Sequence, residues 1–309
     1  MVPTKRAILI IGATGSQGGA LIRALLDAGA TDTHELLAVT RNPSTGSAKS
    51  LQERGVKIVK GDLNDVPGIF STAKSLLGKD APDIWGVYSV QNPMTSSIDA
   101  EITQGKAMVD GALANRVKFF VYSSVDRGGE DKSYETKSNI PHFISKHDIE
   151  HHLVEQSKGK MEWTILRPCT FMDTLVPGFL GKVMATSWKM VVKDKPLQLI
   201  SSTDIGWFGA QAFLNPTEYS GRDISLAGDS LTFEEANTIF NEKVGKDIPR
   251  MLEFVDRGIL WASQELGTMF QWFNDEGCGA DIEALRRKHP KLKKFGDWLE
   301  TESQWVERK

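Results

Sequence analysis

The sequence predicts an α/β fold: a doubly wound parallel sheet of the Rossmann type with a smaller, mostly helical C-terminal lobe. Three observations carry that prediction. Up to about residue 168, short apolar runs alternate with stretches of helical periodicity, as successive βαβ units require. The first run leads straight into a glycine-rich turn, Gly12-Ala13-Thr14-Gly15-Ser16-Gln17-Gly18-Gly19. The composition then shifts, because seven of the eight tryptophans (Trp163, Trp188, Trp207, Trp261, Trp272, Trp298 and Trp305) follow residue 160. The division expected is 1–168 for the sheet domain and 169–309 for the smaller lobe, with some strands of the second part returning to the main sheet.

Strands are expected at 7–11 (AILII), 35–40 (ELLAVT), 57–60 (KIVK), 83–90 (DIWGVYSV), 117–123 (VKFFVYS) and 162–167 (EWTILR). Several are apolar on both faces, which suits strands covered by helices on either side. Between the first two, Leu21, Ile22, Leu25 and Leu26 recur at helical spacing, and Gly29 supplies a C-terminal cap. In the second half, strand-like LQLI (197–200) and DISLAG (223–228) alternate with helical stretches at 204–214 and 232–244. Beyond about 250 the chain reads as helix. The aromatic excess there suits either the lining of an apolar cleft or ordinary core packing.

Composition narrows the function. A chain of 309 residues, 40% hydrophobic and 25% charged, buries enough surface to fold without disulfide or metal staples. A net charge of -3 lacks the basic field that phosphate-backbone binding needs, so nucleic acid is not an expected partner. Cys169 and Cys278 make neither a disulfide framework nor a zinc spacing, which points to a reducing compartment: the cytoplasm, with the nucleus as a second location. The apolar run 7–11 is too short for a signal peptide, and no run approaches the roughly 18 apolar residues that span a bilayer, so no membrane association is expected. The basic stretch from Arg286 to Lys294 reads as a solvated helix face followed by a turn at Pro290.

The glycines at 12, 15 and 18 form a G-x-x-G-x-x-G variant of the dinucleotide fingerprint, preceded by a strand and followed by a helix opening near Ser16. Gly12 permits the tight turn, Gly15 lets backbone approach a pyrophosphate, and Gly18 lets the helix pack against the strand, with the helix N-terminus facing the phosphates. Thr14 and Gln17 belong to the same loop and are candidate cofactor contacts. A fold that prefers NAD places an acid at the end of the second strand; Thr40-Arg41 stands there instead. Arginine holds a phosphate bidentately and stacks on adenine, so NADP(H) is the expected cofactor. Asp62 and Leu63, after the third strand, sit where an adenine edge would lie. Gln91-Asn92-Pro93, after the fourth, lies further along the carboxyl edge where ligands collect.

Seven segments now form an ordered series: GATGSQGG, VTRNP, VKGDLND, FVYSSVDRGG, HFISKHDIEHHL, WTILRPCTFMD and ISLAGD. In that order they resemble the NmrA-like family, atypical members of the extended short-chain dehydrogenase/reductase superfamily and relatives of the isoflavone reductase-like enzymes. The resemblance covers nearly the whole chain. It implies an NADP(H)-binding lobe and a small substrate lobe. It implies one of two functions: a reductase, or a sensor that binds dinucleotide without turnover and regulates a protein partner.

The superfamily usually carries Tyr-x-x-x-Lys on a helix, the phenol protonating the substrate oxygen. Tyr134 to Lys137 misses that interval by one residue and reads as a surface loop. His142-Phe143-Ile144-Ser145-Lys146 has the interval, with histidine in the tyrosine's place and both side chains on one helical face after Pro141. Lys146 resembles the lysine of isoflavone reductase-like and NmrA-like proteins that contacts nicotinamide ribose or the reacting oxygen. It is the first catalytic candidate, and its removal is expected to affect turnover rather than folding. His142 is the second, as a proton donor or else as a structural residue of the helix start. His147, His151 and His152 invite a metal reading, but the relatives need no metal and none is expected.

Ser123, at the end of the fifth strand, is placed to touch nicotinamide ribose or a substrate carbonyl, or serves as a turn residue. Pro168, Thr170 and Phe171 match the family segment that packs beside nicotinamide; Cys169 between them has no activating base. The function expected is an NADP(H)-dependent oxidoreductase acting on a bulky apolar carbonyl, enone or imine, with a small-molecule substrate. The alternatives are a dinucleotide sensor with a regulatory protein partner and a non-redox isomerase-type enzyme that uses the dinucleotide structurally.

Overall fold

Residues 5–78, 83–91 and 97–306 are described in the computed structural model. The strands are β1 (Arg6–Ile10), β2 (His34–Thr40), β3 (Lys57–Lys60), β4 (Ile84–Ser89), β5 (Phe119–Ser123), β6 (Glu162–Pro168), β7 (Thr170–Phe171), β8 (Leu197–Ile200), β9 (Arg222–Leu226) and β10 (Asp229–Leu231). The helices are α1 (Ser16–Asp27), α2 (Gly46–Glu53), α3 (Val66–Leu77), α4 (Ile98–Ala114), α5 (Glu130–Ser133), α6 (Pro141–Ser157), α7 (Phe179–Ser187), α8 (Ser202–Leu214), α9 (Pro216–Tyr219), α10 (Phe233–Val244), α11 (Glu253–Ala262), α12 (Gln264–Asp275), α13 (Ile282–Lys288) and α14 (Phe295–Thr301).

The main sheet has seven strands in the order β3-β2-β1-β4-β5-β6-β9, and the pairings from β3 through β6 are parallel. This is the doubly wound architecture expected from the alternating pattern. The strand order reverses between β1 and β4, so the chain leaves their carboxyl ends in opposite directions and opens the crevice where ligands bind in such sheets. Ala7 to Ile10 are wholly buried, which explains why β1 is apolar on both faces. Gly29 takes the left-handed conformation just past α1, as its place in the sequence suggests.

The chain divides into two compact units, each discontinuous in sequence. The first comprises 1–124, 145–166 and 205–224; the second comprises 125–144, 167–204 and 225–309. The expected division at 168 is therefore interleaved: 125–144 belongs with the later residues, and 205–224 belongs with the sheet. In the first unit, Leu9, Leu37, Val87, Phe120 and Ile165 of the strands pack with Ile69, Phe70, Val109 and Leu153 of the helices. There α8 approaches α1 closely at Gly206, where an added Cβ would meet the Ala20 backbone at 2.4 Å. The second unit has its own core of Phe143, Trp188, Phe240, Phe270, Trp298 and neighbours, and a three-stranded sheet in the order β10-β8-β7. Its tryptophans are divided: Trp188, Trp272 and Trp298 are buried, whereas Trp261 is 85% exposed. The basic stretch is partly structural, since Arg286 donates to the carbonyls of Leu292 and Gly228 and Lys293 pairs with Glu302. Among the described residues, no helix is long and apolar enough to cross a membrane.

Candidate functional site

The glycine loop leaves β1 and enters α1 at Ser16. Gly12 adopts φ +69°, a conformation that L side chains rarely take, and a Cβ there would also meet Val90 at 2.7 Å. A Cβ on Gly18 would fall 2.4 Å from the Gly12 carbonyl oxygen, so only glycine lets the first turn of α1 lie against the loop. No side chain caps the start of α1, and no acid stands in its first turn. That leaves the helix N-terminus free to receive an anion. The cradle thus has the shape and polarity that a pyrophosphate requires. Thr14 and Gly15 are exposed within it, and Gln17 is half-buried.

Gln17 and Ser123 are brought together. Ser123 Oγ donates to Gln17 Oε1 at 2.5 Å, and Tyr88 Oη contacts the same oxygen at 3.3 Å. Burial pushes the Tyr88 phenol well above its usual range, so it stays a neutral donor. The contacts tie the first turn of α1 to the ends of β4 and β5. Arg41 is exposed immediately after β2, and Lys60, the register partner of Thr40 on β3, adds a second exposed cation at that edge. Asp62 and Leu63 are half-buried after β3, with Asp62 Oδ1 accepting from the Asn64 amide at 2.9 Å. Gln91 is buried after β4; Asn92 and Pro93 lie outside the described residues.

Helix α6 begins at Pro141, and Lys146 lies on its buried side, 6% exposed. Its ammonium is 2.7 Å from Glu101 Oε1 and donates to the Gln91 carbonyl at 3.3 Å. The ammonium also lies 5.7 Å from the centre of the Tyr122 ring. Two buried acceptors close by, Gln91 Oε1 and Ser124 Oγ, have no hydrogen-bond partner among the described residues. Buried polar atoms are normally satisfied, so these two suit a polar ligand arriving at the ends of β4 and β5. Glu101 was not legible as a site residue, although one signal was present: it falls on the buried stripe of α4 with Gly105, Met108, Val109 and Ala112. A carboxylate on an apolar stripe calls for a buried cation.

His142, Pro168, Thr170 and Phe171 lie in the second unit. His142 is one helical turn before Lys146 on α6, with Nδ1 2.6 Å from Glu265 Oε1. Pro168 is buried; Thr170 and Phe171 form β7, paired with Leu199 and Ile200. Burial pushes the Cys169 thiol far up, and the Asp126 carboxylate adds to the shift, so it is not a nucleophile. Tyr134 to Lys137 form the turn after α5, outside any helix that would align them. Among the described residues, no group of three or more metal-ligating side chains is placed to hold an ion. His147 and His151 face each other at 4.2 Å between ring centres, and His152 bonds Asp110.

The fold and motifs have known counterparts. The chain is 34% identical over 254 residues to an NmrA-like family domain-containing oxidoreductase of Aspergillus versicolor, covering 75% of this chain and 67% of that one. It superposes with TM-score 0.71 on a Citrobacter triphenylmethane reductase complexed with NADP(H), at 17% identity over 94% of this chain and 98% of the other. NmrA, a negative transcriptional regulator in complex with NADP, superposes with TM-score 0.70 at 17% identity, over 96% and 94%. The sequence model of the NmrA-like family matches residues 4–300, and the chain belongs to that family.

Proposed function

We propose that the first unit binds NADP(H) and that the protein is an oxidoreductase acting on a bulky, largely apolar carbonyl, enone or imine. The observation that carries the reading is the presence, on one carboxyl edge, of a phosphate cradle closed by Gly12 and Gly18 and a buried ammonium, Lys146. The cradle and the N-terminus of α1 would hold the pyrophosphate, Arg41 and Lys60 the 2′-phosphate, and Asp62 and Leu63 the adenine edge. The bound nicotinamide supplies the hydride. Lys146 would donate to the ribose or to the reacting oxygen, and Ser123 keeps Gln17 and the first turn of α1 registered against the end of β5.

A second reading, a dinucleotide sensor, is favoured by one observation: the residue in the superfamily tyrosine's place, His142, is held by Glu265. NADPH consumption with a panel of hydrophobic ketones, enones and imines separates the two. Turnover supports the enzyme; stoichiometric NADPH binding with no turnover supports the sensor.

Cofactor preference is tested by Arg41→Asp. The unmodified protein is expected to bind NADPH at least about tenfold tighter than NADH, about 1.4 kcal/mol, and the variant to lose or reverse that preference in parallel titrations. Equal titration curves for both dinucleotides with the unmodified protein would remove the assignment.

A further inference from the structure

We infer that Glu101 is a positioning residue for Lys146: clamped from α6 by Ser145 and Lys146 together, its carboxylate fixes the ammonium against the Gln91 carbonyl, ready to donate to a ligand at the ends of β4 and β5. The inference rests on the proposed NADP(H) site and deepens it.

Glu101 is wholly buried near the start of α4, and its two oxygens are both engaged by α6. Oε1 meets the Lys146 ammonium at 2.7 Å and Oε2 accepts from Ser145 Oγ at 2.7 Å. Two adjacent residues of one helix thus clamp a single carboxylate, which fixes the rotamers of both acid and lysine. An ammonium has three N–H donors. The Gln91 carbonyl accepts one, and Glu101 Oε1 lies in ion-pair contact with the group, so a donor is left for a ligand. The Tyr122 ring, 5.7 Å away, supplies a π-face but no counter-charge. Among the described residues, Glu101 from α4 and Tyr122 from β5 approach the ammonium, and His142 and Glu150 stand one turn to either side of Lys146 along α6. Of these, Glu101 makes the 2.7 Å ion pair.

NADPH affinity measured by fluorescence titration tests this, using the unmodified protein, Glu101→Gln, Glu101→Asp, Lys146→Met and the double variant Glu101→Gln, Lys146→Met. Glutamine keeps the shape and the contact with Ser145 but removes the ion pair. Glu101→Gln should bind roughly tenfold weaker, the scale of losing a hydrogen bond to a charged group. Lys146→Met should be weak, and adding Glu101→Gln to it should cost nothing further, because Glu101 acts on the ligand only through the lysine. Glu101→Asp, which keeps the charge but withdraws it by one methylene, should fall between the parent and Glu101→Gln; this arm retains the test should Glu101→Gln fail to fold. If Glu101→Gln binds like the parent, or the two changes weaken binding additively, the positioning role is overturned while the NADP(H) site stands. If the unmodified protein binds no NADPH, or Lys146→Met binds as tightly as the parent, the underlying site assignment fails and the inference falls with it.

Discussion

Lys146→Ala is expected to lower folding stability by about 3–5 kcal/mol, the scale of breaking one side of a buried ion pair, in addition to lowering any turnover by roughly 100-fold or more. From the sequence alone Lys146 reads as a cleft residue whose loss spares the fold. The structure reverses that expectation because Lys146 is buried against a wholly buried carboxylate. Truncating the lysine strands the Glu101 charge in the interior, with Ser145 Oγ as its remaining hydrogen bond. Urea unfolding checks the claim. The double variant Lys146→Met, Glu101→Gln, which removes both charges, should recover most of the lost stability because no unpaired ion remains. Unfolding midpoints for Lys146→Ala that match the parent would show that the pair is not coupled to folding.

Gly18→Val is expected to weaken NADPH binding by about 100-fold or more and to destabilise the first unit by roughly 1–3 kcal/mol, the range of an overpacked interior. Even the first carbon of a side chain would lie 2.4 Å from the Gly12 oxygen and 2.9 Å from the Ala13 nitrogen, both backbone atoms that cannot swing aside. The first turn of α1 must therefore lift away from the loop, carrying its amides with it. Gly46→Ala is the control. An added Cβ there meets nothing within 4 Å, and the position is helical, so both binding and stability should be unchanged or slightly improved. Titration and thermal melting of the two variants side by side read both effects, and Gly18→Val binding NADPH like the parent would contradict the cradle.

The seven strands of the main sheet and the glycine turn were legible because each is a local signal: an apolar run of strand length, or a glycine spacing set between strand and helix. The short strands β7 and β10, of two and three residues, leave no periodicity to read. The interleaving of the units was equally hidden, because α6 and α8 each cross from one unit to the other without any break in helical pattern. Of the proposed site, Gly12, Gly15 and Gly18 could be picked out from local spacing, and Lys146 from its interval to His142 and the family resemblance. Glu101 could not, because it meets Lys146 only through the packing of α4 on α6, far from it in sequence. His142 shows the opposite case: its spacing from Lys146 is correct, but Glu265 of α12 decides what its ring touches.

Calorimetric titration of the unmodified protein with NADPH and with NADH tests the central claim most directly. The cradle of Gly12 and Gly18, the uncapped start of α1 and the cations Arg41 and Lys60 predict one molecule of NADPH bound per chain, with NADH at least about tenfold weaker. No saturable heat with either dinucleotide would contradict the account.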